Sequence, residues 1–228
     1  MNNNEIMERL RGGLIVSCQA LASEPLHSSY IMGRMAFAAK EGGASGIRSN
    51  SPEDIIEIRN TVEIPIIGLF KQDYTDSEVF ITPTMKEIDA LMNAKPDIIA
   101  LDATDRIRPG GLYLSDLVRM IKKKYPDQLL MADCSCFEDG IRAAGLGFDL
   151  IGTTMSGYTT QTKGRQLPDL LLMRDFVKEL KLPVIAEGGI WTVDELRQVM
   201  EVGVFAAVVG TAITRPREIT RRFVNGMR

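Results

Sequence analysis

The chain has 228 residues, of which 45% are hydrophobic and 25% are charged, the composition of an ordinary globular domain. With 27 basic and 30 acidic residues its formal net charge is −3, and no basic block occurs, which argues against nucleic acid as a main partner. The start of the chain lacks the charged-then-apolar pattern of a signal peptide, and no apolar run approaches the roughly 20 residues that span a bilayer. We therefore expect a cytoplasmic protein without a membrane partner.

Three cysteines and one histidine are a poor set of metal ligands. Cys134 and Cys136 end an apolar run, but a zinc site needs further Cys or His ligands at suitable spacing, and neither Cys18 nor His27 supplies it. The sequence predicts no metal site. The cysteines are expected to be core thiols, and His27 is expected in a loop or at the surface.

A repeating unit of short apolar run, polar end, turn and amphipathic helix organises the chain. After a short polar helix within residues 1–12, strands are predicted at residues 13–18, 43–47, 65–70, 97–101, 128–132, 148–152, 183–186 and 205–209. Helices are predicted at residues 29–40, from Ser51, at 85–94, 115–125, 137–144 and 168–180, and after each of the last two strands.

Three connections stand out by length or composition. Residues 72–84 are long for a loop between strand and helix, and residues 79–82 within them predict a short extra strand. Residues 103–111 form a second polar loop, whose Arg106 and Arg108 either reach a ligand or face water. Residues 155–167 have no apolar period, and we expect them to form a mobile lid.

Strands separated by helices imply parallel pairing with right-handed crossovers. An open doubly wound sheet would more often have five or six strands and a glycine-rich turn after the first, which this chain lacks. Eight units predict an α/β protein, a single (β/α)8 TIM barrel over residues 1–228, with residues 1–12 as a helical cap at its bottom.

In such a barrel, functional side chains lie at the carboxyl ends of the strands. In chain order these positions hold Gln19, Arg48, Lys71, Asp102, Asp133, Thr153, Glu187 and the pair Gly210-Thr211. Any one of them could be polar simply because burial ends there. Lys71 and Glu187 follow strongly apolar runs, however, and charges beside a buried wall are costly unless they are paired or used.

Lys71 and Glu187 follow strands on opposite sides of an eight-strand ring, so they can meet across its mouth. They could form a structural ion pair or a proton-transfer pair. To act as a base, Lys71 needs burial or a cationic neighbour such as Arg48 to lower its pKa, whereas an ionised Glu187 would raise that pKa. The sequence leaves this balance open.

Two glycine turns follow the last two predicted strands. Gly188 and Gly189 come after strand seven, and Gly210 and Thr211 come after strand eight, with Arg215 close behind. The glycines could merely let each strand turn into a helix. Two such turns in succession with a basic residue nearby also suit a phosphate group, so the pattern favours a sugar-phosphate enzyme.

Several strings match one family in combination, over about residues 13–216. They are Gly13-Leu-Ile-Val-Ser-Cys-Gln-Ala-Leu, Gly68-Leu-Phe-Lys71, Val79-Phe-Ile-Thr-Pro-Thr, Leu101-Asp-Ala-Thr, Met131-Ala-Asp-Cys-Ser, Ala186-Glu-Gly-Gly and Val209-Gly-Thr-Ala-Ile-Thr-Arg-Pro. On these strings the chain resembles the bacterial N-acetylmannosamine-6-phosphate 2-epimerases.

The resemblance implies conversion of N-acetylmannosamine 6-phosphate to N-acetylglucosamine 6-phosphate, a step in sialic acid breakdown, without a cofactor. It implies that Lys71 takes and returns the C2 proton and that Glu187 assists ring opening and closing. Gln19, Arg48 and Asp133 correspond to sugar-contacting positions, and Thr153 joins them as a strand-end candidate. Gly189, Gly210, Thr211 and Arg215 correspond to the phosphate pocket. We also expect a homo-oligomer, with a dimer favoured.

Three other functions remain open at this point. The amine of Lys71 could form a Schiff base, as in a class I phosphosugar aldolase. The phosphate site is shared with ring-rearranging isomerases of histidine or tryptophan synthesis. A sugar-phosphate sensor without catalysis would use the same pocket.

Overall fold

The computed structural model describes residues 1–227, and within them eight parallel strands pair in sequence order into a closed barrel. The predicted (β/α)8 fold is confirmed. The strands are β1 Leu14–Cys18, β2 Gly46–Asn50, β3 Ile66–Leu69, β4 Ile98–Asp102, β5 Leu129–Asp133, β6 Leu150–Gly152, β7 Val184–Glu187 and β8 Ala206–Val209. That the whole of 1–228 forms a single domain stays a prediction, since residue 228 lies outside the described residues.

Helices alternate with the strands around the outside of the barrel. Within residues 1–227 they are α1 Asn3–Leu10, α2 Ser29–Glu41, α3 Pro52–Thr61, α4 Met85–Ala94, α5 Leu114–Lys124, α6 Phe137–Leu146, α7 Leu170–Glu179, α8 Val193–Glu201, α9 Thr211–Thr214 and α10 Pro216–Gly226. A single 3-10 turn spans Pro109–Gly111. Each of these helices falls short of the length and apolar character that a bilayer span requires.

Two apolar clusters stabilise this architecture. The larger one lies between the strands and the outer helices, and it includes Ile55 and Ile58 of α3 and the following residue, Val62. The smaller one fills the barrel interior, and Ile6 and Leu10 of α1 belong to it. The helix α1 thus covers the end of the barrel at which the strands begin, because its residues also bond to main-chain oxygens just before β3 and β5.

Local capping explains where several helices begin. The hydroxyl of Ser51 accepts a hydrogen bond from the backbone N–H of Asp54, the helix start that the sequence predicts. Thr84 and Glu87 form a reciprocal capping box at the start of α4, as do Thr192 and Glu195 at the start of α8.

Several predicted boundaries were wrong. Strand β2 begins at Gly46, three residues later than predicted, so Arg48 lies inside the strand rather than at its end. Residues 79–82 form no strand, only a single antiparallel bridge between Lys71 and Ile81. Helix α6 continues to Leu146, because Gly147, with φ +84°, is the left-handed residue that ends it.

Candidate active site

A cavity of about 340 Å³ opens at the carboxyl end of the barrel. It brings together most of the predicted site residues, namely Gln19, Lys71, Glu187, Gly188, Gly189, Gly210, Thr211 and Arg215. Arg48, Asp133 and Thr153 do not line it; they lie buried directly behind its wall. The cavity therefore has a polar surface layer and a charged layer beneath it.

Lys71 is held by its backbone rather than by an ion pair. Its N–H donates to the side-chain oxygen of Asn50 at 2.7 Å, and its bridge with Ile81 fixes the chain after β3. Thr82 completes the clamp, since its N–H donates to the carbonyl of Phe70 at 2.8 Å and its hydroxyl accepts from the N–H of Phe70 at 3.1 Å. The lysine stem is thereby directed into the cavity.

The pKa of Lys71 is lowered from its ordinary value, first by burial and then by the positive charge of Arg48. Glu187 and Asp133 oppose this effect without reversing it. Of the opposing effects on the pKa of Lys71, those that favour the neutral amine are thus the larger. The neutral amine is the form that can accept a proton.

Arg48 is the charged centre of the buried layer. Its two terminal nitrogens donate to both carboxylate oxygens of Asp133, at 3.1 and 2.6 Å, and one of them also lies 3.3 Å from Oε2 of Glu187. Burial alone would disfavour the charge of Arg48, but Asp133 and Glu187 outweigh that cost and raise its pKa. One guanidinium therefore serves two carboxyl groups.

Glu187 pairs with Arg48, and within residues 1–227 Lys71 makes no ion pair. Of the two arrangements that the sequence left open, the structural Lys71–Glu187 ion pair is therefore not formed within residues 1–227. Burial raises the pKa of Glu187, with the charge of Arg48 opposing it. The amine and the carboxyl group are both shifted towards their neutral forms in one cavity, which is the arrangement of a general base with a general acid.

Thr153 and Thr154 follow β6 and differ in what they contact. The hydroxyl of Thr153 donates to the carbonyl of Glu187 at 2.8 Å and accepts from its N–H at 3.0 Å, so it fixes the backbone of β7. Thr154 lines the cavity instead, and its hydroxyl lies 2.7 Å from Asp133 and 3.0 Å from Glu187.

The glycine turn after β7 has the backbone that only glycine adopts easily. Gly188 and Gly189 have φ of +113° and +72°, and a Cβ on Gly189 would lie 2.3 Å from Cβ of Leu167. Unlike the prediction, this turn does not lead directly into a helix, because α8 begins only at Val193. Both glycines line the cavity, so no side chain of theirs stands between the main chain and the cavity.

The second turn leads straight into a helix. Gly210 caps the short helix α9, which begins at Thr211. Arg215 follows α9, where its guanidinium contacts the carboxylate of Glu24 at the edge of the cavity. The basic side chain of Arg215 and the N-terminus of α9 thus both border the cavity.

Gln19 presents an unused acceptor to the site. Its amide nitrogen donates to the hydroxyl of Ser17 at 2.9 Å. Its oxygen is buried and has no hydrogen-bond partner within residues 1–227. A hydroxyl group of a bound ligand could satisfy it.

The arginines of the loops have structural partners. Arg108 is buried and donates to the carbonyls of Thr82 and Pro83, at 3.2 and 3.0 Å, and burial lowers its pKa to about 10. Arg106 pairs with Asp102, and Arg165 pairs with Asp169. Arg108 thus holds the loop that clamps the segment after β3.

Other predictions concern residues outside the cavity. His27 is exposed, and the three cysteines are free and buried, as expected. The segment 155–167 contains buried Met155, Ser156 and Thr162, and its mobility stays a prediction.

Sequence reasoning missed several wall residues, among them Phe80, Thr154, Tyr158 and Trp191. Phe80 and Tyr158 lie in the two long loops that the sequence marked. Trp191, the only tryptophan of the chain, lies two residues after Gly189. Aromatic side chains in loops at the carboxyl ends of strands were the signal available.

Fold and site together define a (β/α)8 barrel protein with a cavity at the carboxyl end of its strands, lined by Lys71, Glu187 and two glycine turns. Residues 32–228 match the family model described as "Putative N-acetylmannosamine-6-phosphate epimerase". The chain belongs to this family.

Curated relatives and a solved structure agree with the family match. A Listeria welshimeri protein named "Putative N-acetylmannosamine-6-phosphate 2-epimerase" is 49% identical over 99% of this chain and 97% of its own. A protein of the same name from Caldanaerobacter subterraneus is 52% identical over 96% of this chain and 93% of its own. The solved N-acetylmannosamine-6-phosphate 2-epimerase from Clostridium perfringens superimposes with a TM-score of 0.92 at 52% identity, covering 96% of this chain and 95% of that one.

Proposed function

We propose that the protein is an epimerase that converts N-acetyl-D-mannosamine 6-phosphate to N-acetyl-D-glucosamine 6-phosphate, within sialic acid catabolism. The observation that carries this proposal is the cavity in which burial moves Lys71 and Glu187 towards their neutral forms. Membership of the epimerase family supplies the substrate.

The reaction begins with the opening of the sugar ring. The C1 hydroxyl gives its proton to a water molecule, from which ring closure later recovers it, the bond between C1 and the ring oxygen breaks, and the ring oxygen receives a proton from Glu187. The product of this step is an open-chain aldehyde with C2 beside it. Because the carbonyl stabilises a carbanion at C2, the C2 proton becomes acidic enough for an amine to remove.

Lys71 then acts as the base. Its neutral amine takes the C2 proton and leaves an enolate over C1 and C2. Return of the proton to the opposite face of C2 gives the other epimer, and ring closure returns a proton from the former ring oxygen to Glu187. Atoms and charges balance without a redox step.

The remaining cavity residues bind the substrate in this proposal. Gly188, Gly189, Gly210 and Thr211 offer backbone N–H groups to the 6-phosphate, and Arg215 offers its charge. Gln19 accepts a sugar hydroxyl with its unpartnered oxygen. Arg48 and Asp133 lie behind the wall, where they set the charge that Lys71 and Glu187 experience. Their contact with the sugar stays a prediction.

The test is proton NMR of the protein with N-acetylmannosamine 6-phosphate in deuterium oxide, beside the Lys71→Ala variant. We expect N-acetylglucosamine 6-phosphate that carries deuterium at C2, and a loss of about 10²–10⁴-fold in rate in the variant. Folded protein that yields neither the product nor C2 exchange would overturn the proposal. Reduction by borohydride that traps the sugar on Lys71 would instead support the Schiff-base aldolase, which the family match does not favour.

Assembly and location extend the proposal. We propose a homo-oligomer, with a dimer favoured, in the cytoplasm. Phe223 of α10 is 75% exposed and Met227 is 86% exposed, so this end of the chain carries apolar surface that a second copy could cover. A single monomeric species in sedimentation velocity at micromolar concentration would contradict the oligomer.

A further inference from the structure

The hydroxyl of Thr154 lies between two carboxyl groups. Its Oγ1 is 2.7 Å from Oδ1 of Asp133 and 3.0 Å from Oε2 of Glu187, and both distances are those of hydrogen bonds. A hydroxyl carries one proton and can donate only one hydrogen bond, whereas an ionised carboxylate can only accept. Two ionised carboxylates would therefore leave one of these short contacts without a proton. One of the two carboxyl groups has to supply it.

Asp133 is the carboxyl group that Arg48 contacts through both oxygens. Both of its oxygens accept hydrogen bonds from Arg48, and its side chain is fully buried, so the charge-assisted pair is its main compensation. It also makes the shorter of the two contacts with Thr154. When the hydroxyl donates to Asp133, the 3.0 Å contact can hold a proton of Glu187.

The charges that face Glu187 support the same placement. Arg48 approaches from β2, Asp133 from β5, Thr154 from the end of β6 and Lys71 from the end of β3. Arg48 already neutralises Asp133, and Lys71, whose amine is shifted towards neutrality, makes no ion pair within residues 1–227. If Glu187 were also ionised, the single charge of Arg48 would have to balance two carboxylates.

We propose that Thr154 is a positioning residue that keeps the proton on Glu187 in the resting protein, by donating to Asp133 and accepting from the carboxyl group of Glu187. The acid for ring opening is thereby stored in place before the sugar binds. When Glu187 gives its proton away, the same hydroxyl can rotate and donate to the new carboxylate. Thr153 cannot replace it, since its hydroxyl is taken up by the backbone of Glu187.

The test compares Thr154→Val, which keeps the shape and removes the hydroxyl, with Thr154→Ser, which keeps the hydroxyl. Infrared spectroscopy of the resting protein, without sugar, follows the carbonyl stretch of protonated Glu187 as pH rises, assigned by its loss in Glu187→Gln. With Glu187 protonated, two hydrogen bonds form, one from Glu187 to the hydroxyl of Thr154 and one from that hydroxyl to Asp133. With Glu187 ionised, the hydroxyl can make only one of these contacts a hydrogen bond. We therefore expect the band of Thr154→Val to disappear roughly one pH unit lower, a tenfold change or about 1.4 kcal/mol, and that of Thr154→Ser to follow the wild type.

Three outcomes would overturn the proposal. The band could be absent from the wild type at neutral pH, it could respond equally in both variants, or it could persist to higher pH in Thr154→Val. The last result would mean that the hydroxyl donates to Glu187 and favours its ionised form. Circular dichroism of both variants verifies the fold.

A kinetic measurement separates this role from a packing role. The placement of the proton rests on the proposed epimerase activity in one respect only, namely that ring opening uses this proton. We expect kcat of Thr154→Val to fall, with its loss of activity at high pH moved to lower pH, and Thr154→Ser to restore both. A change in KM alone would contradict a positioning role. If the band shifts as expected but no epimer forms, the proposed function fails while the proton placement stands; an active enzyme without the shift shows the reverse.

Discussion

Lys71 illustrates how one side chain acquires its chemistry from several elements. The chain after β3 places it, Asn50 of β2 holds its N–H, and Thr82 of the following loop holds the adjacent residue. Burial and the charge of Arg48 then lower the pKa of its amine. None of these contacts involves a carboxylate, which would have stabilised the charged form.

Activity should depend on pH through this amine. Only the neutral form accepts a proton, and its fraction grows as pH rises through the Lys71 pKa, so kcat/KM should rise with pH on the acidic side. Because the pKa of Lys71 is lowered from the ordinary 10.5, the midpoint of the rise should lie below pH 10.5. A pH profile of kcat/KM measures it.

Lys71→Arg is the matching variant, since arginine stays charged throughout this range. We expect a loss of about 10²–10⁴-fold at every pH and no rise. Lys123→Arg, at an exposed position of α5, serves as the control and should behave as the wild type. A kcat/KM that still rises with pH in Lys71→Arg would exclude Lys71 as the base.

At the scale of elements, the turn after β7 combines two constraints that are separable by mutation. Gly189 has a left-handed backbone, and its Cα hydrogen faces Leu167 so closely that a Cβ would lie 2.3 Å from Cβ of that residue. Gly164 has a similar φ of +87°, but a Cβ there would have no atom within 4 Å.

Alanine at the two positions should therefore have different costs. Gly164→Ala should lower the free energy of unfolding by about 1–2 kcal/mol from backbone strain alone. Gly189→Ala should lower it by about 1–3 kcal/mol more, because Leu167 has to move. Urea unfolding of both variants measures the difference, and equal losses would show that the segment around Leu167 yields without cost.

Across the whole molecule, the two ends of the barrel have different tasks. The carboxyl ends of the strands carry the cavity, whereas α1 covers the other end and inserts Ile6 and Leu10 into the interior cluster. In barrels of this kind residues at the bottom contribute to stability and residues at the top to chemistry.

Leu10→Ala should therefore destabilise the protein without changing its chemistry. Leu10 is fully buried, so we expect a loss of about 2–5 kcal/mol in the free energy of unfolding, measured by urea denaturation. Under native conditions kcat/KM should stay at the wild-type value. Glu8→Ala, on the exposed face of α1, is the control and should change neither quantity. A loss of less than 1 kcal/mol in Leu10→Ala would show that α1 does not seal the barrel.

The sequence by itself determined the barrel and those cavity residues that end a strand or form a glycine turn. Eight apolar runs separated by amphipathic helices admit few other topologies, and in this fold the strand ends carry the site. Lys71, Glu187 and the two glycine turns could be found in this way, because each depends only on where its own strand ends. The same locality explains the boundary errors at β2 and α6, where polar Arg48, Ser49 and Asn50 belong to the strand and Gly145 lies inside the helix.

Only the tertiary structure decided which charges meet. Arg48 was expected beyond its strand, yet it lies within β2 and reaches Asp133 and Glu187 across the barrel. Thr153 and Thr154 are adjacent, but one holds the backbone of β7 and the other faces the cavity. A shift of one residue turns a side chain to the other side, and the partners of a side chain across a closed barrel depend on the stagger of all eight strands. That stagger is a property of the assembled sheet, so no local pattern in the chain encodes it.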